Sequence, residues 1–391
     1  MVEGGISILK GERMGSALSI CMVSDDARPA ATGVGTHIQQ VSKELVRRGH
    51  RVSIMTTRRS GEPELEIWEG VRLHRMFTLK VYGFYQALPS KNTIRRILQE
   101  ENVDVVHHHY LGFMMKRTCA VAESLGLPQV STFHFSAEVL TQPLLMRPFR
   151  EMIRGQIVDY NNRCNLVIAP SQNLAMQLAR DGIHTPVRYI SNPVVFDDPG
   201  GVVPAERNPG FTVLYAGRLG PEKNIPLLLK AFKHLLRNFP DATLWIAGSG
   251  PLRESLEQLC QQYGMQQSVR FLGFLDHPTL ARYYAACDLF VLPSVVEAQP
   301  LVAMEAMWFR KPIIVTRAIV AATEMVEPGV NGYIVDPEDP VDLSGRMAEL
   351  ASDAAMRDRY GEAGRIRANA YRPELVLDAI EQGYRDVLVH G

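Results

Sequence analysis

The chain has 391 residues, 46% of them apolar and 21% charged, a composition that reads as globular and is too long for one ordinary core, so two domains are expected. Lys and Arg number 42 and Asp and Glu 42, for a formal net charge of zero, and no basic domain or RNA-binding motif stands out, which argues against a nucleic-acid partner. No apolar run approaches the roughly 20 residues that a membrane-spanning helix needs.

The first sixteen residues, MVEGGISILKGERMGS, lack the long apolar core of a signal peptide and read as a loose tail. LSICMVS (18–24) then reads as a buried strand. THIQQVSKELVRRG (36–49) has helical spacing at Ile38, Val41 and Leu45, with Gly49 as its stop. HRVSIMT (50–56), DVVHHH (104–109), PQVSTF (128–133) and NLVIAP (165–170) continue as strands. A helix is expected near 112–125, and another after Ser171, a cap-forming residue. Repeated strand–helix–strand units predict a parallel sheet covered on both faces, so residues 17–195 form one domain.

Residues 196–210 lie in a stretch rich in Pro and Gly without periodicity and read as a linker. The pattern restarts at FTVLYAG (211–217). A helix follows over 224–239, then strands at ATLWIAG (242–248), VRFLG (269–273), DLFVLP (288–293) and PIIVT (312–316). A second domain is expected over 211–375, with a terminal helix over 376–391 returning to the first. The predicted fold is α/β, with two doubly wound, Rossmann-like domains facing each other across a cleft, and ligands at the carboxyl ends of the strands.

Charge separates the halves. Residues 1–195 carry 23 Lys and Arg against 17 Asp and Glu, and residues 196–391 carry 19 against 25. The five cysteines are scattered without a C-x-x-C pair, which fits a reducing cytoplasm rather than a disulfide or zinc framework.

Three strand ends carry candidate chemistry. After the first strand, Gly33 and Gly35 permit close backbone approach at a helix start, a place for phosphate or a sugar hydroxyl; a tight turn accounts for the same glycines. No further glycine follows at dinucleotide spacing, which counts against NAD. In GRLGPEKNI, Arg218 and Lys223 sit where a helix opens and have the charges to hold a diphosphate, or are solvated surface cations. In EAQPLVAMEAM, Glu297 falls in a loop, Pro300 suits the first helical position, and Glu305 lies in the second turn. Carboxylates in a dry cleft accept paired hydrogen bonds from sugar hydroxyls; a helix-entry charge and an ion pair are the plainer reading. His107 and His109 share a strand face and read as a strand end lining the cleft rather than a metal site.

GRLGPEKN, WIAGSGPL, VRFLGFL and DLFVLPSVVEAQPLVAMEAM occur in the order and spacing of the retaining glycosyltransferases of family 4 (glycosyl transferases group 1), and the chain resembles them over about residues 17–375. The resemblance implies the GT-B fold and sugar transfer from a nucleotide diphosphate sugar. UDP-sugar is the first expectation, GDP-mannose the next. It places Arg218 and Lys223 on the donor diphosphate, Glu297 on the sugar and Glu305 on the ribose. Backbone around Phe274 and Leu275 would read the base, and amides of Leu301 and Val302 would face phosphate. His134 would lie beside the transferred sugar, and Gly33 and Gly35 in the loop closing over it. His134, Arg218, Lys223 and Glu297 are then the catalytic group, with no metal and no cofactor required.

Two positions depart from the family pattern: Pro300 stands where glycine is usual, and Thr32 replaces the first glycine of the Gly-Gly turn. The acceptor is expected to be a membrane lipid or lipid-linked glycan, because segments 89–98 and 144–160 mix apolar residues with Lys91, Arg95, Arg96, Arg147, Arg150 and Arg154 and suit an anionic cytoplasmic membrane face. Alternatives are a soluble sugar or polysaccharide acceptor, another GT-B enzyme such as a nucleotide-sugar epimerase, or a non-catalytic nucleotide-sugar binding protein.

Overall fold

The computed structural model describes residues 17–28, 33–81, 84–109, 112–134, 150–195, 199–207 and 209–390. The N-terminal tail, Thr32 and the whole 144–149 stretch, with Arg147, therefore lie outside the described residues.

The first half contains β1 (Ser19–Val23), α1 (Gly33–Arg47), β2 (Arg51–Thr57), β3 (Leu65–Trp68), β4 (Val71–Met76), β5 (Thr78–Val81), β6 (Phe84–Ala87), α2 (Lys91–Glu100), β7 (Val105–His108), α3 (Phe113–Ser124), β8 (Gln129–Thr132), α4 (Arg150–Asn162), β9 (Leu166–Ala169), α5 (Gln172–Arg180) and β10 (Val187–Tyr189). The second contains β11 (Thr212–Ala216), α6 (Ile225–Leu235), β12 (Thr243–Ala247), α7 (Arg253–Gln262), β13 (Val269–Gly273), α8 (His277–Ala286), β14 (Leu289–Leu292), α9 (Leu301–Trp308), β15 (Ile313–Thr316), α10 (Ala322–Met325), β16 (Gly332–Val335), α11 (Pro340–Ser352), α12 (Ala354–Ala368) and α13 (Pro373–His390).

Eight strands form the first sheet in the order β10-β9-β8-β7-β1-β2-β4-β3, parallel except for the edge pair β3–β4. Six form the second, in the order β13-β12-β11-β14-β15-β16, parallel throughout. The central strands β1, β7, β11 and β14 are buried at every residue, as sheets covered on both faces require. Each sheet reverses its strand order once, between β1 and β7 and between β11 and β14. Those reversals open crevices at the strands' carboxyl ends, where doubly wound sheets bind ligands.

The carboxyl ends of the two sheets meet. Gln299, beyond β14, accepts from the Asn192 amide at 2.8 Å, and its Nε2 donates to Ser191 Oγ at 2.9 Å. Glu324 of α10 accepts from the amides of Gln172 and Asn173 at 2.9 and 2.8 Å, capping the start of α5, which Ser171 also caps through the Leu174 amide at 3.1 Å. Helix α13 packs its apolar side, Val376, Leu377, Ile380, Tyr384 and Val387, into the core of the first sheet beside Ile20, Leu45 and Leu166. Arg48 fastens it by ion pairs to Asp378 and Glu381.

Helix α1 begins at Gly33, three residues before the start predicted at Thr36. Val34, His37, Ile38 and Val41 form one continuous buried stripe, so the helical face extends back through both glycines. Pro300 precedes α9 as its cap, in extended conformation (ψ 116°), rather than occupying the first helical position. Its carbonyl accepts the Ala303 and Met304 amides, so the missing N–H costs the helix nothing. Among the described residues no helix is long and apolar enough to cross a membrane.

Candidate active site

The loop after β11 is held by backbone packing that only small residues allow. Gly248 has φ +140°, and a Cβ there would lie 1.8 Å from the Gly217 carbonyl oxygen; one at Gly250 would lie 2.5–2.6 Å from Leu219 backbone atoms. The SGP segment therefore braces the GRLG segment from beneath. Residues Pro221–Lys223 follow as one short 3-10 turn, and Asn224 closes it in the left-handed region (φ 49°), anchored by its side-chain amide to the Pro337 carbonyl at 2.8 Å. This turn aims Lys223 at Glu297, with which it forms a partly buried ion pair. Arg218 is paired with Glu222 at 3.7 Å and is half exposed.

Glu297 lies beyond β14. Its backbone bridges to Ile319, and its carbonyl accepts the Val320 amide at 2.9 Å, so its position is set by two loops at once. Ser294 Oγ donates to its carboxylate at 3.4 Å. In the next helix Leu301 and Val302 are the first two residues of α9, whose opening amides have no acceptor within the helix.

Glu305 is buried, 4% exposed, one turn further along α9. The fully buried Tyr284 of α8 donates its hydroxyl to Glu305 Oε2 at 2.9 Å, with the Val302 carbonyl 3.1 Å away. His277, at the start of α8, faces Oε1 at 3.3 Å. Burial, then the nearby carboxylate, hold the Tyr284 phenol well above its ordinary pKa, so it remains a donor. Phe274 and Leu275 lie between β13 and α8; Phe274 is 74% exposed and Leu275 is packed against the core. We expect Tyr284→Phe to lower stability by about 2 kcal/mol, for a lost hydrogen bond to a charged group, and to weaken donor binding roughly tenfold. Nucleotide titration monitored by thermal melting checks both; unchanged values in each would mean the phenol does not position Glu305.

Across the cleft, at the switch point of the first sheet, Gly33 and Gly35 occupy the first turn of α1 rather than a preceding loop; Gly35 is buried. His37 follows them. His109 stands just past β7, and its Nδ1 lies 3.2 Å from His134 Nε2, just past β8. His107 and His109 stack with ring centroids 3.9 Å apart, and His107 is hydrogen-bonded on both nitrogens, to Tyr384 at 2.6 Å and Thr132 at 2.7 Å. Burial keeps the four imidazoles neutral: His37 is pushed down to about 4, and His107, His109 and His134 well below the usual value. Asp25, beyond β1, is buried, accepts the Ala87 amide at 3.0 Å through Oδ1, and has no partner on Oδ2 among the described residues. Burial pushes this carboxyl up to about 7.

The structure thus joins Lys223 to Glu297 and sets Glu305 on the same helix whose opening amides belong to Leu301 and Val302. His134 belongs to a separate cluster on the first domain. The sequence reading missed Tyr284, His277, His37, Asp25 and Gln299. His37 lies four residues past Gly33, so the α1 periodicity carried a signal for it; Tyr284 lies inside an ordinary helical repeat and gave none.

Two switch points meet at one cleft, with a cation–carboxylate pair on one side, an arrangement suited to an anionic, hydroxyl-rich ligand. Residues 203–367 match the family model for glycosyl transferases group 1, and residues 31–198 match that for glycosyltransferase family 4. An uncharacterized glycosyltransferase of Methanocaldococcus jannaschii is 27% identical over 87% of this chain and 91% of its own. The alpha-monoglucosyldiacylglycerol synthase of Acholeplasma laidlawii is 26% identical over 95% and 98%. The crystal structure of Anabaena HepE in complex with UDP and glucose superposes with TM-score 0.76 at 19% identity, covering 94% of this chain and all of that one. The chain belongs to glycosyltransferase family 4: it is a retaining hexosyltransferase of GT-B fold that uses a nucleotide sugar.

Proposed function

We propose that the protein moves a hexose from a UDP-sugar to a hydroxyl of a membrane lipid or lipid-linked glycan. The observation that carries the donor half is the meeting of Lys223, Glu297 and the α9 N-terminus at the β11/β14 reversal. In this reading Arg218, Lys223 and the amides of Leu301 and Val302 hold the diphosphate, Glu297 the sugar and Glu305 the ribose. Backbone at Phe274 and Leu275 reads the base. Gly33 and Gly35 approach the sugar from the first domain, with His134 beside it. HepE's bound UDP and glucose support this choice of base.

The bond from the anomeric carbon to the phosphate oxygen breaks, and the acceptor oxygen attacks from the same face. The leaving diphosphate takes the electron pair and accepts the acceptor's proton. No carboxylate nucleophile is invoked, in contrast to retaining hydrolases. The fixed cations and helix amides favour charge on the leaving group, which is electrostatic preorganisation. Because the groups are divided between two domains, donor binding closes the cleft.

The acceptor half is supported by the relative that makes a glucosylated diacylglycerol and by exposed Lys91, Arg96, Arg150 and Met152 on α2 and α4 of the basic first half. Helix α2 spends its apolar side, Ile94, Ile97 and Leu98, on its own core, so it offers lipid headgroups its cations and not an apolar face.

The test starts with melting temperature in saturating UDP, GDP or ADP, alone and with their common sugars, since a ligand of the folded state raises it. A shift with UDP that is lost in Glu305→Ala is expected. A shift with GDP alone would replace the base, and none at all would overturn the donor reading. Product analysis follows, with diacylglycerol-type vesicles, soluble sugars or no acceptor. Transfer only to soluble sugars would overturn the lipid acceptor.

A further inference from the structure

The histidine cluster on the first domain is chemically incomplete. His37 from α1, His109 from the end of β7 and His134 from the end of β8 each present one ring nitrogen, and these atoms all lie within 4.8 Å of one another. Ring centroids are 5.0 Å apart for His37 and His134, and 5.5 Å for His109 with either. Among the described residues neither nitrogen of His37 makes a close hydrogen bond, the Asn192 side chain being the polar group it interacts with, and Nε2 of His109 has none. Yet His37 is 3% and His109 1% exposed. Buried donors and acceptors left unpaired are costly, so such a group calls for an explanation. Neighbouring His107, equally buried, has partners for both nitrogens, which shows that this part of the fold can satisfy an imidazole.

We propose that His37, His109 and His134 together bind one first-row transition-metal ion, with Zn²⁺ the expected occupant and a fourth position facing the cleft. Three imidazoles with one open position are an established zinc donor set. At metal–nitrogen distances of about 2.0–2.1 Å, tetrahedral ligands lie roughly 3.3 Å apart, which His109 Nδ1 and His134 Nε2 already satisfy at 3.2 Å. His37 supplies the third from within 4.8 Å, and Nε2 of His109 stays outside the ligand set. Metal ligation needs the neutral imidazole, and burial keeps all three neutral near pH 7. Among the described residues no carboxylate is bonded to the outer nitrogens, which lowers affinity about 10–100-fold below a fully supported site. A reversible regulatory ion fits that strength.

The consequence for catalysis rests on the reading of His134 given above. A metal on its ring occupies the place beside the transferred sugar, so the ion inhibits transfer. The binding itself does not depend on that reading.

Tag-free, chelator-treated full-length protein titrated with Co²⁺ tests the site through the intense visible bands of four-coordinate cobalt. One equivalent per chain is expected in wild type, with the signal lost in His37→Ala and in His109→Gln and kept in His277→Ala. Melting curves in chelator show which variants fold, and two independent ligand variants keep the test decisive. No saturable band in wild type, or wild-type binding in both ligand variants, overturns the site. Zn²⁺ is expected to inhibit wild-type transfer, reversibly by chelator, and to spare His37→Ala. Binding without inhibition would instead overturn the placement of His134 beside the sugar.

Discussion

Lys223→Ala lowers kcat for sugar transfer by about 10²–10³-fold, and Glu297→Ala does the same, while both proteins remain folded. The expectation follows from where the pair sits. Lys223 ends a turn fixed by the left-handed Asn224 and its bond to Pro337, and Glu297 is fixed by backbone contacts to Ile319 and Val320. Two rigid loops thus hold opposite charges together before any donor arrives. In the proposed complex the ammonium turns to the leaving diphosphate and the carboxylate to sugar hydroxyls, so each loses its partner only to gain a substrate contact. Removing either leaves the other partly buried and unpaired, which costs on the order of 1–3 kcal/mol of stability. That is too little to unfold a protein with two extensive cores, and assays below both melting temperatures separate the effects. Steady-state kinetics with donor and acceptor saturating is the measurement. If both variants kept wild-type kcat, the diphosphate and sugar would have to be held elsewhere.

The parallel sheets were legible because their strands are buried on both faces and read as unbroken apolar runs. LSICMVS, NLVIAP, FTVLYAG and DLFVLP each contain the observed strand within one or two residues. What escaped was the edge. Strand β3 alternates exposed Leu65 and Ile67 with half-buried Glu66 and Trp68, and β4 carries Arg72, His74 and Arg75. These charges are tolerable because Glu101 receives Arg72 and His74, and Glu66 receives Arg75. The partners of β4 lie 27 and 29 residues away at Glu101 and nine away at Glu66, so no local pattern reveals them. The proposed donor site shows the same division. The candidates Arg218 and Lys223 stand in one contiguous motif and Glu297 and Glu305 in another, so spacing and resemblance single them out. Tyr284, which holds Glu305, belongs to a different helix 21 residues upstream and emerges only from packing. The histidine cluster draws on three separated segments: HHH invites attention in the sequence, His134 does so through the resemblance, and His37 is not singled out.

Asp25→Asn raises stability at pH 8 by about 3–4 kcal/mol and at pH 5 by about 1–2 kcal/mol, the gain vanishing only below the unfolded carboxyl's pKa. The carboxyl sits at the end of β1 with Oδ1 on the Ala87 amide and Oδ2 buried without a partner among the described residues. Burial, reinforced weakly by neighbouring Asp26 and opposed by the Ala87 hydrogen bond, pushes its pKa from 3.8 up to about 7. The folded state therefore holds a proton that the unfolded chain releases near pH 4. Stability from this group is fully present below 3.8 and is lost as pH rises through about 7. Asparagine keeps the acceptor for Ala87 and cannot ionise, so it removes the loss at high pH while matching the protonated acid at low pH. Melting temperatures across pH 5–8 compare the two proteins, and parallel curves would show that Asp25 is ionised in the fold throughout. The same variant reports on function, because Asp25 closes the β1 side of the first sheet's switch point. An unpaired buried oxygen there is suited to an acceptor hydroxyl, which would both satisfy Oδ2 and draw the carboxyl toward its charged form. In that case Asp25→Asn gains stability and raises KM for acceptor together, whereas a merely structural carboxyl gains stability with KM unmoved.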